Sequence, residues 1–392
     1  MLACLAAFTG LITPAAQAAD HSYTPLPRFG GQNTTGWTDD SDSGWTWDLI
    51  DWNYTMTEPY RQNNGGNSIT TFAPTLGGDG WPRMTGWSTG DYRGPWTPCQ
   101  ENTGDNTTCS LKAFYDPDDT THPEYRQSSH RNVAGIMARE DVTDKNLTTT
   151  TTFELNSEKY RYSYDQASNS MHPYTASPAC KQAKGRFFPF NTLDEGCTVP
   201  LVSHLNNDPY TLDYFFGMHG RMDLTPDEGG LAASGASQTF EFAGDDNLLL
   251  YIDGVLLIDL GGWRGATPAT LDLHTGEIHT GPVSPVSNGG MPIQNGSTRT
   301  NPLDGADRDS TSLYAAYHNA LGDAGVGKYL TQDRDGVWRL RTDMSHKVDV
   351  FYSDTNSVAS SLLLRTTFTD KPRYPLAYDA NGGQGTLPKQ NK

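Results

Sequence analysis

The residues best able to do chemistry lie together in Gly244-Asp245-Asp246-Asn247, where two consecutive carboxylates and a carboxamide sit between apolar runs. Their oxygens are hard donors, the kind that Ca²⁺ gathers in sets of about 6–8. They suit acid–base work less well. A glycosidase needs two carboxyl groups roughly 5 Å or more apart on either side of one bond, and neighbours on one short loop serve a cation better. His219 closes the run Phe215-Phe216-Gly217-Met218, which reads as strand, so it is expected to be a hydrogen-bonded structural residue rather than a general base. No G-x-S-x-G, H-E-x-x-H or phosphate-loop motif occurs. The expectation is a protein without enzymatic activity.

The acidic loop needs rigid neighbours, and the flanking sequence supplies them. Thr239-Phe240-Glu241-Phe242 alternates apolar with polar, while Leu248 to Ile252 and Val255 to Ile258 are continuous apolar runs, so three strands are predicted. Asp253-Gly254 supplies positive φ at both centres of a type I′ turn, which places Ile252 opposite Val255 in a tight hairpin. Asp253 is thereby a turn residue, and Asp259 ends the second hairpin strand before Gly261-Gly262. Both read as structural. In a regular strand adjacent side chains point to opposite faces. Asp245 and Asp246 can therefore reach one ion only from an irregular backbone.

Composition bounds the class. The 392 residues have room for one large or two ordinary domains, and 35% hydrophobic content with 9 Trp, 19 Tyr, 14 Phe, 40 Gly and 24 Pro describes a β-rich, loop-rich extracellular protein. A net charge of −18 argues against nucleic acid or an anionic membrane surface as partner. Residues 1–19 read as a secretory leader with an apolar core from Leu2 to Ile12, Pro14, and Ala16-Gln17-Ala18 at the cleavage site. That core is too short to span a bilayer, so no membrane insertion is expected after the leader is removed. The mature chain keeps Cys99, Cys109, Cys180 and Cys197, which suit disulfides in an oxidising compartment. Local pairing within each couple is the simplest of three connectivities, and neither couple has the spacing of a zinc site.

Along the chain, residues 20–150 form a Trp- and Gly-rich β region. Trp37, Trp45, Trp47, Trp52, Trp81 and Trp87 there read as core and turn residues rather than a sugar platform, since no strand pattern fixes them on one face. Asp116-Pro-Asp-Asp119 starts like a calcium loop but lacks the later Gly and Glu of an EF-hand, and reads as a turn. Thr149 to Phe153 and Tyr160 to Tyr164 are predicted strands, and Ser312 to Ala320 is the one predicted helix of more than two turns, from Leu313, Ala316, Tyr317 and Ala320. Residues 151–375 form the main β unit and 376–392 a polar tail.

The ordered text Phe187-Phe188-Pro189-Phe190-Asn191, Tyr214-Phe215-Phe216-Gly217-Met218-His219, Phe240-Glu241-Phe242 with Gly244-Asp245-Asp246, Ile252-Asp253-Gly254-Val255-Leu256 to Asp259-Leu260-Gly261-Gly262, and a closing strand, loop and strand from Val348 to Arg365 resembles the fibro-slime domain of secreted and wall-attached bacterial adhesins. That family is similar to the protective-antigen-type β-sandwich of sugar-binding adhesin heads. The resemblance covers residues 185 to 370 and extends towards residue 25, where Leu76-Gly-Gly-Asp-Gly-Trp-Pro82 also looks familial. It implies an all-β, antiparallel sandwich with long loop insertions, and an extracellular module for glycan binding.

The resemblance also implies the ligand set. In the sugar-binding relatives two consecutive Asp ahead of the hairpin hold Ca²⁺, and vicinal sugar hydroxyls complete its coordination; Asp245 and Asp246 occupy that position, with Asn247 offering a further oxygen. A second loop follows the strand Val348 to Ser353 and makes Asp354 and Asn356 the matching ligands, with Val358 as a carbonyl donor. Asp354-Thr-Asn-Ser357 reads equally as a hairpin turn. The chain departs from many relatives in having Asn247 and Leu248-Leu249-Leu250 where they carry a third Asp and an aromatic-bearing strand, and its closing loop lacks their Glu-Arg and glycine-rich text. A structural stalk or matrix domain without sugar binding is the alternative, and an accessory module of a polysaccharide-degrading enzyme a third.

Overall fold

The hairpin is built as its sequence predicts. Asn247–Ile252 pairs with Val255–Leu260, Ile252 stands opposite Val255, and the turn residues Asp253 and Gly254 have φ of 54° and 76°. Both positive angles are those of a type I′ turn, which only short polar residues and glycine adopt cheaply. The computed structural model describes residues 44–52, 70–87, 109–133, 136–143, 149–155, 161–165, 170–173, 215–232, 234–244, 247–261, 267–281, 309–354 and 362–368, with the short pieces 38–39, 186–187, 189–190, 375–376 and 390–391.

Two sheets dominate, and among the described residues every strand pair is antiparallel. In chain order their strands are β1 (Thr38–Asp39), β2 (Thr46–Trp52), β3 (Arg126–His130), β4 (Met137–Thr143), β5 (Thr149–Leu155), β6 (Phe216–Leu224), β7 (Thr239–Gly244), β8 (Asn247–Ile252), β9 (Val255–Leu260), β10 (Thr267–Asp272), β11 (Glu277–Thr280), β12 (Asp309–Ser312), β13 (His346–Asp354) and β14 (Leu362–Thr366). The six-stranded sheet runs β9-β8-β13-β6-β2-β3, and the eight-stranded sheet β1-β4-β5-β14-β7-β10-β11-β12. β2, from the Trp-rich region, is thus an interior strand beside β6. Tyr160 to Tyr164 is met by Arg161–Asp165 in a small separate sheet, and Pro375–Leu376, at the boundary between the predicted main unit and the tail, pairs with Gln390–Asn391.

The alternation of side chains decides what each face does. Leu248, Leu250 and Ile252 share one buried cluster with Met218, Val350 and Tyr352 of their own sheet and with Phe240, Phe242, Leu271 and Leu364 of the other. One core therefore joins the inner faces of both sheets, and each leucine buried in it is worth roughly 1.5–3 kcal/mol over exposure. Leu249 and Tyr251 point outward into a second cluster, with Trp52, Phe72, Met84, Phe114, Tyr115 and Phe351. Those residues come partly from segments 70–87 and 111–125, which lie over the outer face. Segment 70–87 also closes the β9 edge, since Leu76 N donates to Gly254 O (2.9 Å) and Leu256 N to Pro74 O (3.0 Å). An edge covered in this way cannot recruit a foreign strand.

The short helix Lys112–Tyr115 presses onto the outer face, where the Trp52 Nε1–H donates to Phe114 O at 2.9 Å. Gly217 permits the approach, because a Cβ there would lie 2.6 Å from Phe114 O. The predicted helix at Ser312 is α1 (Leu313–Tyr329); Ser312 Oγ accepts from Ala315 N at 3.2 Å as its N-cap. Gly322, with φ 69°, interrupts it. Beyond that break the 3.6-residue pattern is reset, which is why the sequence predicted only the first half.

Candidate functional site

Asp245, Asp246, Asn356 and Val358 lie outside the described residues, but the strands on either side of them are described. β7 ends at Gly244 in the eight-stranded sheet and β8 begins at Asn247 in the six-stranded one. The chain thus crosses between sheets in two residues. The β13–β14 connection, residues 355–361, and the β9–β10 connection, residues 261–266, join the same two sheets. In the eight-stranded sheet Gly244 pairs with Leu362 on one side and Thr267 on the other; in the six-stranded sheet Asn247 pairs with Ser353 and Leu248 with Leu260. The strands entering and leaving 245–246 are in both cases the middle one of three. The two loops predicted to share an ion are therefore attached to adjacent strands at one end of both sheets.

Asp354 is the last residue of β13 and is 1% exposed, while Asn247 opens β8 at 2%. They do not share a face. Asp354 follows Val350 and Tyr352 on the inner side, and Asn247 follows the parity of Leu249 and Tyr251 on the outer side, across from Ser353. What Asp354 does share is a row with Asp51. Phe216 pairs with Asp354 on one side and with Asp51 on the other, and Asp51 is likewise buried. Two strand spacings place these residues roughly 10 Å apart at the backbone. Asp51 was missed in the sequence, although an acid at the core parity of Trp47 and Leu49 is itself a signal.

The remaining candidates prove structural where they are described. Asp259 accepts from Phe72 N (3.1 Å) and Gly261 N (3.0 Å), tying the cover to β9. Asp116-Pro-Asp-Asp119 is a turn: Asp118 N donates to Asp116 Oδ1 (2.9 Å), Thr121 N and Oγ donate to Asp119, and Arg126 and Arg131 supply positive charge to its carbonyls and carboxylates. Trp47 and Trp52 are core residues, and Trp81 is half-buried. Of the four cysteines only the backbone of Cys109 is described, in a strand against Met84. The disulfide expectations for Cys99, Cys109, Cys180 and Cys197, like the leader, lie outside the described residues.

His219 lies on the outer face with Nε2 2.8 Å from Asp349 Oδ1, its ring stacked on Phe351 at 4.3 Å and met edgewise by Trp81 at 5.1 Å. Burial pushes its pKa below the ordinary value, against the opposing pull of Asp349. Burial likewise raises the phenols of Tyr115 and Tyr251 beyond the usual range, with Asp259 adding to the effect on Tyr251. Such groups stay neutral and hold the cover in place. Among the described residues no group of three or more His, Cys, Asp or Glu is arranged to hold a metal ion, and no helix is long and apolar enough to cross a membrane. No family profile, curated protein or solved structure matches this chain.

Proposed function

We propose that this chain is a secreted, non-enzymatic adhesion module, a β-sandwich of fibro-slime and protective-antigen type that binds glycan through Ca²⁺ at Asp245 and Asp246, with Asp354 and Asn356 as supporting ligands. The observation that carries the reading is the bracketing of residues 245–246: Gly244 pairs with Leu362 in one sheet while Asn247 pairs with Ser353 in the other. The oxygen donors of both loops thereby belong to neighbouring strand ends. The donor set fits the ion, since carboxylates and carboxamides are the hard ligands that Ca²⁺ prefers. Bound Ca²⁺ would supply an electrophilic centre for vicinal sugar hydroxyls. Asp51 adds a buried carboxyl group beneath the same end, whereas Asn247 faces the other side. A common core between two antiparallel sheets supports the sandwich.

The structural-stalk reading draws on the depth of Asp354 and Asn247, which are packed into the sheet ends. Calorimetric titration of metal-stripped mature protein with Ca²⁺, beside an Asp245→Ala/Asp246→Ala variant, separates the two. Saturable binding in the parent and none in the variant is expected, followed by Ca²⁺-dependent retention on a glycan array. A folded parent that binds no Ca²⁺ leaves the stalk as the better reading.

A further inference from the structure

At the far end of β8 another acid is held in a different way. Asp253, the first turn residue of the hairpin, receives Lys347 N on Oδ1 (3.1 Å) and the Tyr317 hydroxyl on Oδ2 (3.1 Å), and the same Oδ2 lies 2.6 Å from Nδ1 of His346. The other ring nitrogen, Nε2, lies 2.8 Å from the carbonyl oxygen of Arg341. His346 is fully buried.

A proton count follows from these partners. A carbonyl oxygen carries no hydrogen, so Nε2 must donate. The 2.6 Å approach of Nδ1 to a carboxylate oxygen needs a second proton between them, of the short, charge-assisted kind. A neutral imidazole beside a carboxylate has only one proton to place. The tyrosine hydroxyl does not supply the other, because its proton is already directed at Asp253 Oδ2 or, at 3.2 Å, at Ile252 O.

We propose that His346 and Asp253 together keep one more proton in the folded chain than in the unfolded chain at neutral pH, a proton that clasps the hairpin tip, α1 and β13 to one another.

The surrounding charges are compatible with the clasp. From α1 come Tyr317, whose phenol burial and Asp253 hold well above its usual pKa, and Tyr329, whose ring centroid is 6.5 Å from the imidazole. Lys328, at the helix end, bonds the Tyr329 hydroxyl (2.7 Å) and feels Asp253. From the turn before β13, the Arg341 side chain is engaged by Asp343 (2.9 and 2.6 Å), and that of Lys347 by Asp223 (3.3 Å). Neither of these cations competes with the imidazole for Asp253. The sign follows: a proton held more tightly when folded stabilises fully below the ordinary imidazole value of about 6.5, and that stability is lost as the pH rises.

Asp253→Asn tests this, because Asn-Gly suits a type I′ turn and its amide can donate to a neutral ring. Urea unfolding of parent and variant is compared from pH 5.5 to 9. The ratio of parent to variant folding constants should fall by about tenfold per pH unit, below about 6.5 because the variant's neutral ring resists a proton that its unfolded chain takes up, and above it because the parent's folded pair keeps one that its unfolded chain gives up, until that pair releases its proton. Other histidines are common to both proteins and cancel. In ¹⁵N-histidine NMR at neutral pH the parent should show two ring N–H groups at His346, the variant one. Parallel pH profiles, or a parent spectrum with a single ring N–H and no proton shared between Nδ1 and Asp253, would overturn the proposal. If the variant fails to fold, the parent spectrum alone decides.

Discussion

His219 and His346 are buried to almost the same depth, 4% and 0% exposed, on strands that pair with each other, and they are held in opposite ways. His219 meets one carboxylate, Asp349, while its Nδ1 has no hydrogen-bond partner among the described residues and its faces meet Phe351 and Trp81. Loss of water dominates there, so the ring is neutral. His346 has an acceptor at each nitrogen. The comparison teaches that depth alone does not set the charge of a buried imidazole. The number of acceptors arranged around it does.

The largest expected difference comes from removing each ring. His346→Leu leaves the Asp253 carboxylate buried without its cation and the Arg341 carbonyl without a donor, a loss of about 3–5 kcal/mol by urea unfolding near pH 6. His219→Leu should cost about 1 kcal/mol, because the Asp349 side chain is 20% exposed and water can replace the imidazole. Equal losses would break the comparison.

The next effect concerns the cover over the His219 face. Gly217, two residues away on the same face, would as alanine place a Cβ 2.6 Å from Phe114 O and 2.9 Å from the Trp52 indole. Overpacking of this kind costs about 1–3 kcal/mol, and thermal or urea unfolding of Gly217→Ala should show it. The His346 ring protons, held by another part of the fold, should be unchanged. A shift at both histidines would mean that cover and clasp are one cooperative unit.

Much of this contrast could not be read along the chain. The hairpin was legible because the turn chemistry of Asp253-Gly254 and the apolar runs beside it are local. The first half of α1 was legible from the spacing of Leu313, Ala316, Tyr317 and Ala320, and the second half was hidden by the break at Gly322. His346 drew no notice, because its partner Asp253 is 93 residues away and nothing nearby marks a histidine that will face two acceptors. The layer over the six-stranded sheet was equally silent. Its residues, Phe72, Met84, Phe114 and Tyr115, come from short polar-rich segments with no sustained period. The candidate ion loop was legible as an acidic pair between strands, but its neighbours were not: the adjacency of 245–246 to 355–361 depends on strand order in two sheets. Asp51 escaped because its row-mate Asp354 meets it only across β6.

The smallest expected effect is confined to acid. Above about pH 6.5 His219 is neutral in folded and unfolded chains alike and adds no pH dependence. As the pH falls, the unfolded imidazole takes up a proton that the buried one resists, since burial lowers its folded pKa. The unfolded chain then binds more protons, and stability falls with decreasing pH until the folded ring is protonated as well. His219→Gln retains a donor for Asp349 but cannot titrate. Its unfolding free energy between pH 6.5 and 5 should be flatter than the parent's, by less than the tenfold per pH unit that one whole proton would give. Asp253→Asn should flatten the alkaline limb instead. Two buried histidines acting on opposite limbs would give the parent a stability maximum near neutrality, and a variant pair that flattens the same limb would show that both rings answer to burial alone.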